Sequence, residues 1–106
     1  MSLGITIPLG PPLAAHADLL PRLREAGYQE FWTAETAGLD AFTPAAYAAA
    51  LLPDARFGTA IASVYTRGPA LLAMSAAALA EAAPGRFSLG VGAASPVIVD
   101  QWNGMS

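Results

Sequence analysis

Short hydrophobic segments recur four times along the chain, and each segment predicts a β-strand. In the first, residues 4–7, small or polar side chains lie between β-branched ones, and Pro8 follows. The other three segments are rich in aromatic, β-branched or small apolar residues and cover residues 31–34, 57–62 and 87–91. The four strands begin near residues 4, 30, 57 and 87, so they recur at regular intervals of 26, 27 and 30 residues.

Apolar side chains at helical spacing predict three helices between these strands. Residues 13–26 place apolar side chains on one stripe, and Gly27 follows where a helix commonly takes a left-handed cap. Pro21 is expected either to kink this helix or to mark its first turn. The second and third helices are expected over residues 45–52 and 69–83.

Residues that favour helix starts precede the two later helices. Thr43 predicts an N-cap with Pro44 at the first helical position, because a hydroxyl accepts from free N–H groups there and proline has no N–H to leave unpaired. Gly68 and Pro69 open the third helix in a similar way. The chain is therefore predicted to be an α/β protein in which four parallel strands alternate with three helices.

Regular βα units suit either a doubly wound open sheet or part of a (β/α)8 TIM barrel, and periodicity does not decide between them. An open sheet covered on one side would expose apolar strands, and hydrophobic residues make up 55% of the chain against 12% charged residues. A full barrel needs about 250 residues. We therefore interpret residues 1–106 as a partial domain, the N-terminal half of a (β/α)8 barrel truncated after strand 4, with an uncovered apolar face.

Charge and composition exclude several classes of partner. The net charge is −3, with five arginines and no basic stripe, so no nucleic acid is expected to bind. With no cysteine and one histidine, neither a disulfide framework nor a metal site is predicted. No positive charge precedes Arg22, and the longest apolar stretch, residues 69–83, is too short to span a bilayer. We expect no membrane association and a cytoplasmic location.

The carboxyl ends of parallel strands are where ligands bind in βα folds, so the segments that follow the strands hold the candidate site residues. After strand 2, Glu35 could accept a proton or bind a ligand hydroxyl, or it could be a solvated loop charge or a helix-capping acceptor. After strand 3, Arg67 could bind a phosphate or pair with an acid. His16 is interpreted as a surface or capping residue, and Trp32 and Trp102 as packing residues.

The glycines of strand 4 resemble a dinucleotide-binding fingerprint only in part. Gly90 and Gly92 have the expected spacing, but Ser95 stands at the third glycine position and Pro96 follows it. A functional interpretation is that exposed main-chain N–H groups and a hydroxyl face a phosphate; the structural alternative is a glycine pair that lets a strand pack closely.

Three segments resemble the luciferase-like monooxygenase family, in its branch of flavin-dependent and coenzyme F420-dependent oxidoreductases. The most specific is FSLGVGAASPVIVDQWNG at residues 87–104, which is similar to the family's strand 4. FGTAIASVYTRGPA at residues 57–70 is similar to strand 3 and the following helix, and FWTAE at residues 31–35 to strand 2. All 106 residues fit the N-terminal part of the family.

This resemblance implies an eight-stranded βα barrel with FMN or coenzyme F420 at the carboxyl ends of its strands, and hydride transfer to or from the ring. It implies a non-prolyl cis peptide between Ala60 and Ile61, behind the ring. It assigns Glu35 as a catalytic residue, with Thr36 where deazaflavin relatives have a histidine. The cofactor-binding residues that it implies are Ala60, Ile61, Gly92, Ala93, Ala94 and Ser95, the last standing where some relatives have a catalytic glutamate.

Three hypotheses follow for the function. The first is a luciferase-like oxidoreductase acting on a small-molecule substrate and inactive as the isolated half, whose partner is a missing C-terminal half-barrel or a second copy. The second is a non-catalytic βα fragment that self-associates or serves as an interaction module. The third is a small nucleotide-binding domain.

Overall fold

The computed structural model describes residues 2–8, 10–35 and 39–93. A 3-10 turn at Leu13–Ala15 precedes the first helix. In chain order, the elements are β1 Leu3–Thr6, α1 His16–Glu25, β2 Tyr28–Thr33, α2 Phe42–Leu51, β3 Arg56–Thr59, β4 Ala62–Ser63, α3 Pro69–Ala82, β5 Phe87–Ser88 and β6 Val91–Gly92. The predicted alternation of strands and helices is confirmed.

All strand pairs in the described residues are parallel. One sheet has the order β1-β2-β3-β5, and a second pairs β4 with β6. The predicted strand 3 is therefore divided into β3 and β4, and the predicted strand 4 into β5 and β6. When each divided strand is counted once, the fold is an α/β fold of four parallel strands and three helices.

The helices cover one face of the four-stranded sheet. Alternate strand residues point to that face, where Phe31 and Phe57 are buried with their ring centroids 6.0 Å apart. Leu20 of α1 and Ala48 of α2 pack into the same cluster. This cluster forms the core between the sheet and the first two helices, and a second cluster joins Phe42 of α2 to Leu79 of α3.

The opposite face of the sheet is more polar than expected from the composition. Glu30 and Arg56 form an ion pair at 2.6 Å, and the ring of Trp32 lies across Gly58. The expectation of an uncovered apolar face is therefore wrong for this face of the four-stranded sheet, whereas other described positions do expose apolar side chains, among them Leu71 and Met74 of α3. The reason for the composition of this sheet face is the strand alternation, which directs Phe31 and Phe57 to the helices and places Glu30, Arg56 and Gly58 on the other face together with Trp32.

Helix α2 begins at Phe42, two residues before the predicted first helical position, Pro44, and has a different capping side chain. Asp40 Oδ2 accepts the N–H groups of Phe42 and Thr43, at 3.1 and 3.0 Å, so Asp40 supplies the acceptor that was expected from Thr43. Pro44 is tolerated because the first four N–H groups of a helix have no intrahelical partner. Pro21 lies inside α1 and does not mark its first turn.

Two of the predicted glycine positions are confirmed. Gly27, which follows α1, has a φ of 112°, in the left-handed region that favours glycine. Gly68 is the N-cap residue of α3, and Pro69 is the first residue of that helix. Among the described residues, α3 is the longest helix at 14 residues, and no helix combines the length and hydropathy that a membrane span requires.

A surface ion pair between α1 and the loop before β3 gives a testable pH dependence. Arg24 donates two hydrogen bonds to Asp54, at 3.0 and 3.4 Å, and this contact lowers the pKa of the Asp54 carboxyl. A carboxyl whose pKa is depressed on folding contributes stability above its unfolded pKa, and this contribution is lost as the pH falls through the folded value.

We therefore expect Arg24→Ala to raise the pKa of Asp54 toward its usual value. The measurement is an NMR titration of the Asp54 carboxyl carbon in both proteins. Arg22→Ala serves as the control, because Arg22 pairs with Asp18 instead. An Asp54 midpoint that is the same in Arg24→Ala and wild type would contradict this assignment.

Candidate functional site

The carboxyl ends of β2, β3 and β5 meet at one edge of the fold. The N–H of Glu35, just after β2, donates to the carbonyl of Ile61 at 3.1 Å. The N–H of Ala62 donates to the carbonyl of Gly90 at 2.9 Å, so the segments after β3 and β5 are bonded side by side. The structure thereby brings together the predicted residues Glu35, Ala60, Ile61, Gly92 and Ala93. Five residues that the sequence analysis named lie outside the described residues: Ala94, Ser95, Thr36, Pro96 and Trp102.

The break between β3 and β4 contains a cis peptide bond between Ala60 and Ile61, as the family resemblance predicted. The N–H of Ala60 donates to the carbonyl of Thr33 at 2.6 Å, so the pairing with β2 continues up to this bond. Ala60 is exposed, and Ile61 is 37% exposed. Both residues therefore offer apolar surface at the edge where the strands end.

Glycines allow the segments after β3 and β5 to approach closely. A Cβ atom on Gly90 would collide with the carbonyl oxygen of Thr59, and one on Gly92 would collide with the side chain of Ile61. The structural alternative for the strand 4 glycines, close packing of a strand, is thus observed at both positions. The predicted contact between main-chain N–H groups and a phosphate remains a prediction.

The carboxylate of Glu35 is half-buried and bonded to main chain through both of its oxygens. Oε2 accepts the N–H of Ala41 at 2.8 Å, and Oε1 accepts the N–H of Ser63 at 3.1 Å. The interpretation of Glu35 as a solvated loop charge is therefore wrong. The alternative interpretation, a helix-capping acceptor, agrees with the contact to Ala41, because Ala41 is the N-cap residue of α2. The predicted catalytic role stays a prediction.

Sequence reasoning missed three buried hydroxyl residues that bond to main chain at this edge. Thr33 Oγ1 donates to the carbonyl of Ala41 at 2.7 Å. Thr59 Oγ1 donates to the carbonyl of Gly90 at 2.8 Å and accepts its N–H at 2.9 Å. Ser63 Oγ accepts the N–H of Tyr65 at 3.2 Å. The available signal was strand alternation: Thr33 and Thr59 stand two residues after the buried Phe31 and Phe57, so their hydroxyls fall on the same buried face.

Two other predicted positions have clear structural roles. Arg67 pairs with Asp40 at 3.0 Å and lies over the ring of Phe42, so it pairs with an acid, which was one of its two interpretations. His16 is fully buried, and its Nε2 is 3.2 Å from the carbonyl oxygen of Pro8. The surface or capping interpretation of His16 is therefore wrong, because its ring points inward to the loop that follows β1.

The fold places the chain among the βα-barrel proteins. It superposes on the coenzyme F420-dependent tetrahydromethanopterin reductase of Methanopyrus kandleri with a TM-score of 0.80, at 22% sequence identity. The match covers 95% of this chain and 29% of that enzyme. The four parallel strands and three helices are therefore part of a TIM-barrel architecture, as predicted.

The sequence matches the family of the luciferase-like monooxygenases over residues 2–106, and the chain belongs to this family. It is also 36% identical over 93 residues to Rv3520c of Mycobacterium tuberculosis, which is named a putative coenzyme F420-dependent oxidoreductase. That match covers 88% of this chain and 27% of the relative. The chain thus spans between a quarter and a third of the length of these two proteins. The family resemblance of its segments is confirmed.

Proposed function

We propose that this chain forms part of a coenzyme F420-dependent oxidoreductase and supplies one side of its cofactor site. The observation that carries the proposal is the 36% identity, over 88% of the chain, to a relative named for dependence on F420. The fold shared with an F420-dependent reductase supports the same cofactor. FMN has no comparable support, and the comparisons do not favour the alternative of a non-catalytic interaction module.

The residues at the strand ends fit a flat aromatic cofactor. The exposed side chains of Ala60, Ile61 and Ala93 offer apolar surface. Gly92 has no side chain, which leaves room for the side chain of Ile61 beside it. We propose that Ala60 and Ile61 contact the deazaflavin ring. As the family resemblance implies, Gly92 and Ala93, with Ala94 and Ser95 after them, would contact the ribityl and phosphate part, where main-chain N–H groups suit an anion.

Coenzyme F420, when bound, would supply a ring that accepts or donates a hydride. The role of this chain would be to bind and orient the ring and to exclude water from one of its faces. The apolar side chain of Ile61 suits that role, because it offers no group that reacts with a hydride. A small-molecule substrate would then lie on the other side of the ring, against groups that this chain does not supply.

The sheet leaves room for further strands on both sides. β1 and β5 are its edge strands, and each has one side without a partner strand in the described residues. We propose that additional βα units of the barrel, or a second copy of the chain, cover these edges and the face that carries Trp32. A half site holds the ring from one side only, so we expect the chain alone to bind F420 weakly and to show no turnover.

The test is a titration of the purified chain with coenzyme F420 and, in parallel, with FMN, followed by ligand fluorescence anisotropy. We expect saturable binding of F420 and weaker binding of FMN. Ile61→Asp is expected to weaken F420 binding about tenfold, which corresponds to about 1.4 kcal/mol, because a carboxylate would replace the apolar contact.

The matched control for this variant is Leu71→Asp, another exposed apolar residue, 51% exposed on α3 and away from the strand ends. It should bind F420 like the wild type. No saturable F420 binding, or equal losses in the two variants, would contradict the proposed site.

A further inference from the structure

We propose that Glu35 is a positioning residue. Its carboxylate holds two main-chain segments, at Ala41 and at Ser63, at the edge of the fold where the proposed cofactor site lies. This role goes beyond the cofactor assignment, and its importance for binding rests on the proposed function. The observation behind it is that one side chain bonds to two segments far apart in sequence: Ala41, six residues on, and Ser63, 28 residues on.

The bond to Ser63 extends the pairing between the second and third strands. The N–H of Ala60 donates to the carbonyl of Thr33, and the N–H of Glu35 donates to the carbonyl of Ile61. In a continued parallel ladder, the next N–H of the third strand would donate to a main-chain carbonyl of the second. Here the N–H of Ser63 donates to Glu35 Oε1, so a side chain takes the place of that carbonyl where the backbone turns toward α2.

The bond to Ala41 ties the start of α2 to the end of β2. The N–H of Ala41 donates to Glu35 Oε2, and its carbonyl accepts the hydroxyl of Thr33 at 2.7 Å. Both polar main-chain groups of Ala41 are thus held by side chains from the end of β2. These two contacts hold Ala41 against the end of β2.

The chemistry of a carboxylate suits Glu35 to this role. An ionised carboxylate only accepts hydrogen bonds, and each of its oxygens already receives one main-chain N–H. No salt bridge within residues 2–8, 10–35 and 39–93 includes Glu35, so main-chain N–H groups are the partners that orient it.

Two variants at this position remove the charge of Glu35 but differ in the number of hydrogen bonds that they remove. Glu35→Ala removes both acceptors. Glu35→Gln keeps one oxygen acceptor but places an NH₂ donor against the other main-chain N–H, so one of the two bonds is lost. Glu81→Gln is the matched control, because Glu81 is exposed on α3.

The experiment measures amide hydrogen exchange by NMR together with F420 binding, for the whole 106-residue chain. In Glu35→Ala, we expect the Ala41 and Ser63 amides to exchange about tenfold faster, and in Glu35→Gln one of the two, because a bond to an ionised acceptor is lost. The Glu81→Gln control should exchange as the wild type does. If Glu35→Ala does not fold, the Glu35→Gln exchange pattern decides the result.

F420 binding then distinguishes positioning from direct contact with the ring. A positioning role predicts weaker F420 binding in Glu35→Gln with the absorption band of the bound cofactor unmoved. Unchanged exchange at both amides, or a moved absorption band with unchanged exchange, overturns the proposal. If the wild type fails to bind F420, the proposed function fails, while the exchange rates still decide whether Glu35 holds Ala41 and Ser63.

Discussion

Phe31→Ala is expected to lower the free energy of unfolding by about 3 to 5 kcal/mol, which is typical of a large aromatic side chain removed from a core. Phe31 is fully buried, and its ring packs against that of Phe57. Removing it takes away apolar contact and leaves a cavity between the central strands and the helices. Because a domain of this size has about 5 to 15 kcal/mol of stability in total, the variant should approach the limit of folding.

Urea denaturation followed by far-UV circular dichroism measures this loss. Leu71→Ala is the control, since Leu71 is 51% exposed on α3, and it should change the unfolding free energy by less than about 0.5 kcal/mol. A loss below about 1 kcal/mol in Phe31→Ala would contradict the placement of this ring in the centre of the core.

Gly90→Ala is expected to destabilise the fold by about 1 to 3 kcal/mol and to disturb the candidate cofactor site as well. The added Cβ would collide with the carbonyl oxygen of Thr59 and lie 3.3 Å from its carbonyl carbon. These are main-chain atoms next to the cis peptide bond, so they cannot rotate away as a flexible side chain could. The segment between β5 and β6 would have to move, and with it the bonds between Gly90 and the Thr59 hydroxyl.

The measurements are urea denaturation and F420 titration of the same protein. Gly10→Ala is the matched control, because a Cβ there would have no heavy atom within 4 Å. We expect the control to keep wild-type stability and F420 binding, and Gly90→Ala to lose both. Wild-type values in Gly90→Ala would show that the two strand segments do not pack as closely as described.

The local pattern predicted the elements of this fold because each element buries one face. The β-prone residues of segments 31–34 and 57–62 marked strands, and the interval between strands marked parallel βα units. The resemblance to the luciferase-like family predicted the cis peptide at Ala60, which periodicity did not indicate. The division of strands 3 and 4 into two segments each was missed, because the pairing on either side of the break depends on neighbouring strands.

The candidate site was predictable in its location but only partly in its contacts. The rule that ligands bind at the carboxyl ends of parallel strands selected Glu35, and the family resemblance selected Ile61; the structure brings both to one edge. The roles of Asp40 as the cap of α2 and of His16 as a buried residue were not predicted. Both depend on the path of a loop, which residue type and spacing do not specify.

The amino-acid sequence alone determined the class of fold, the order of the elements and the family, because the positions of apolar side chains and glycines constrain each segment locally. The tertiary structure decided what each polar side chain does. Glu35 bonds to Ala41 and Ser63, and Arg67 to Asp40, only because the parallel strands carry these residues to one edge. A hydrogen-bond partner is fixed by distance in space, and residues far apart in the chain become neighbours only when the sheet has formed.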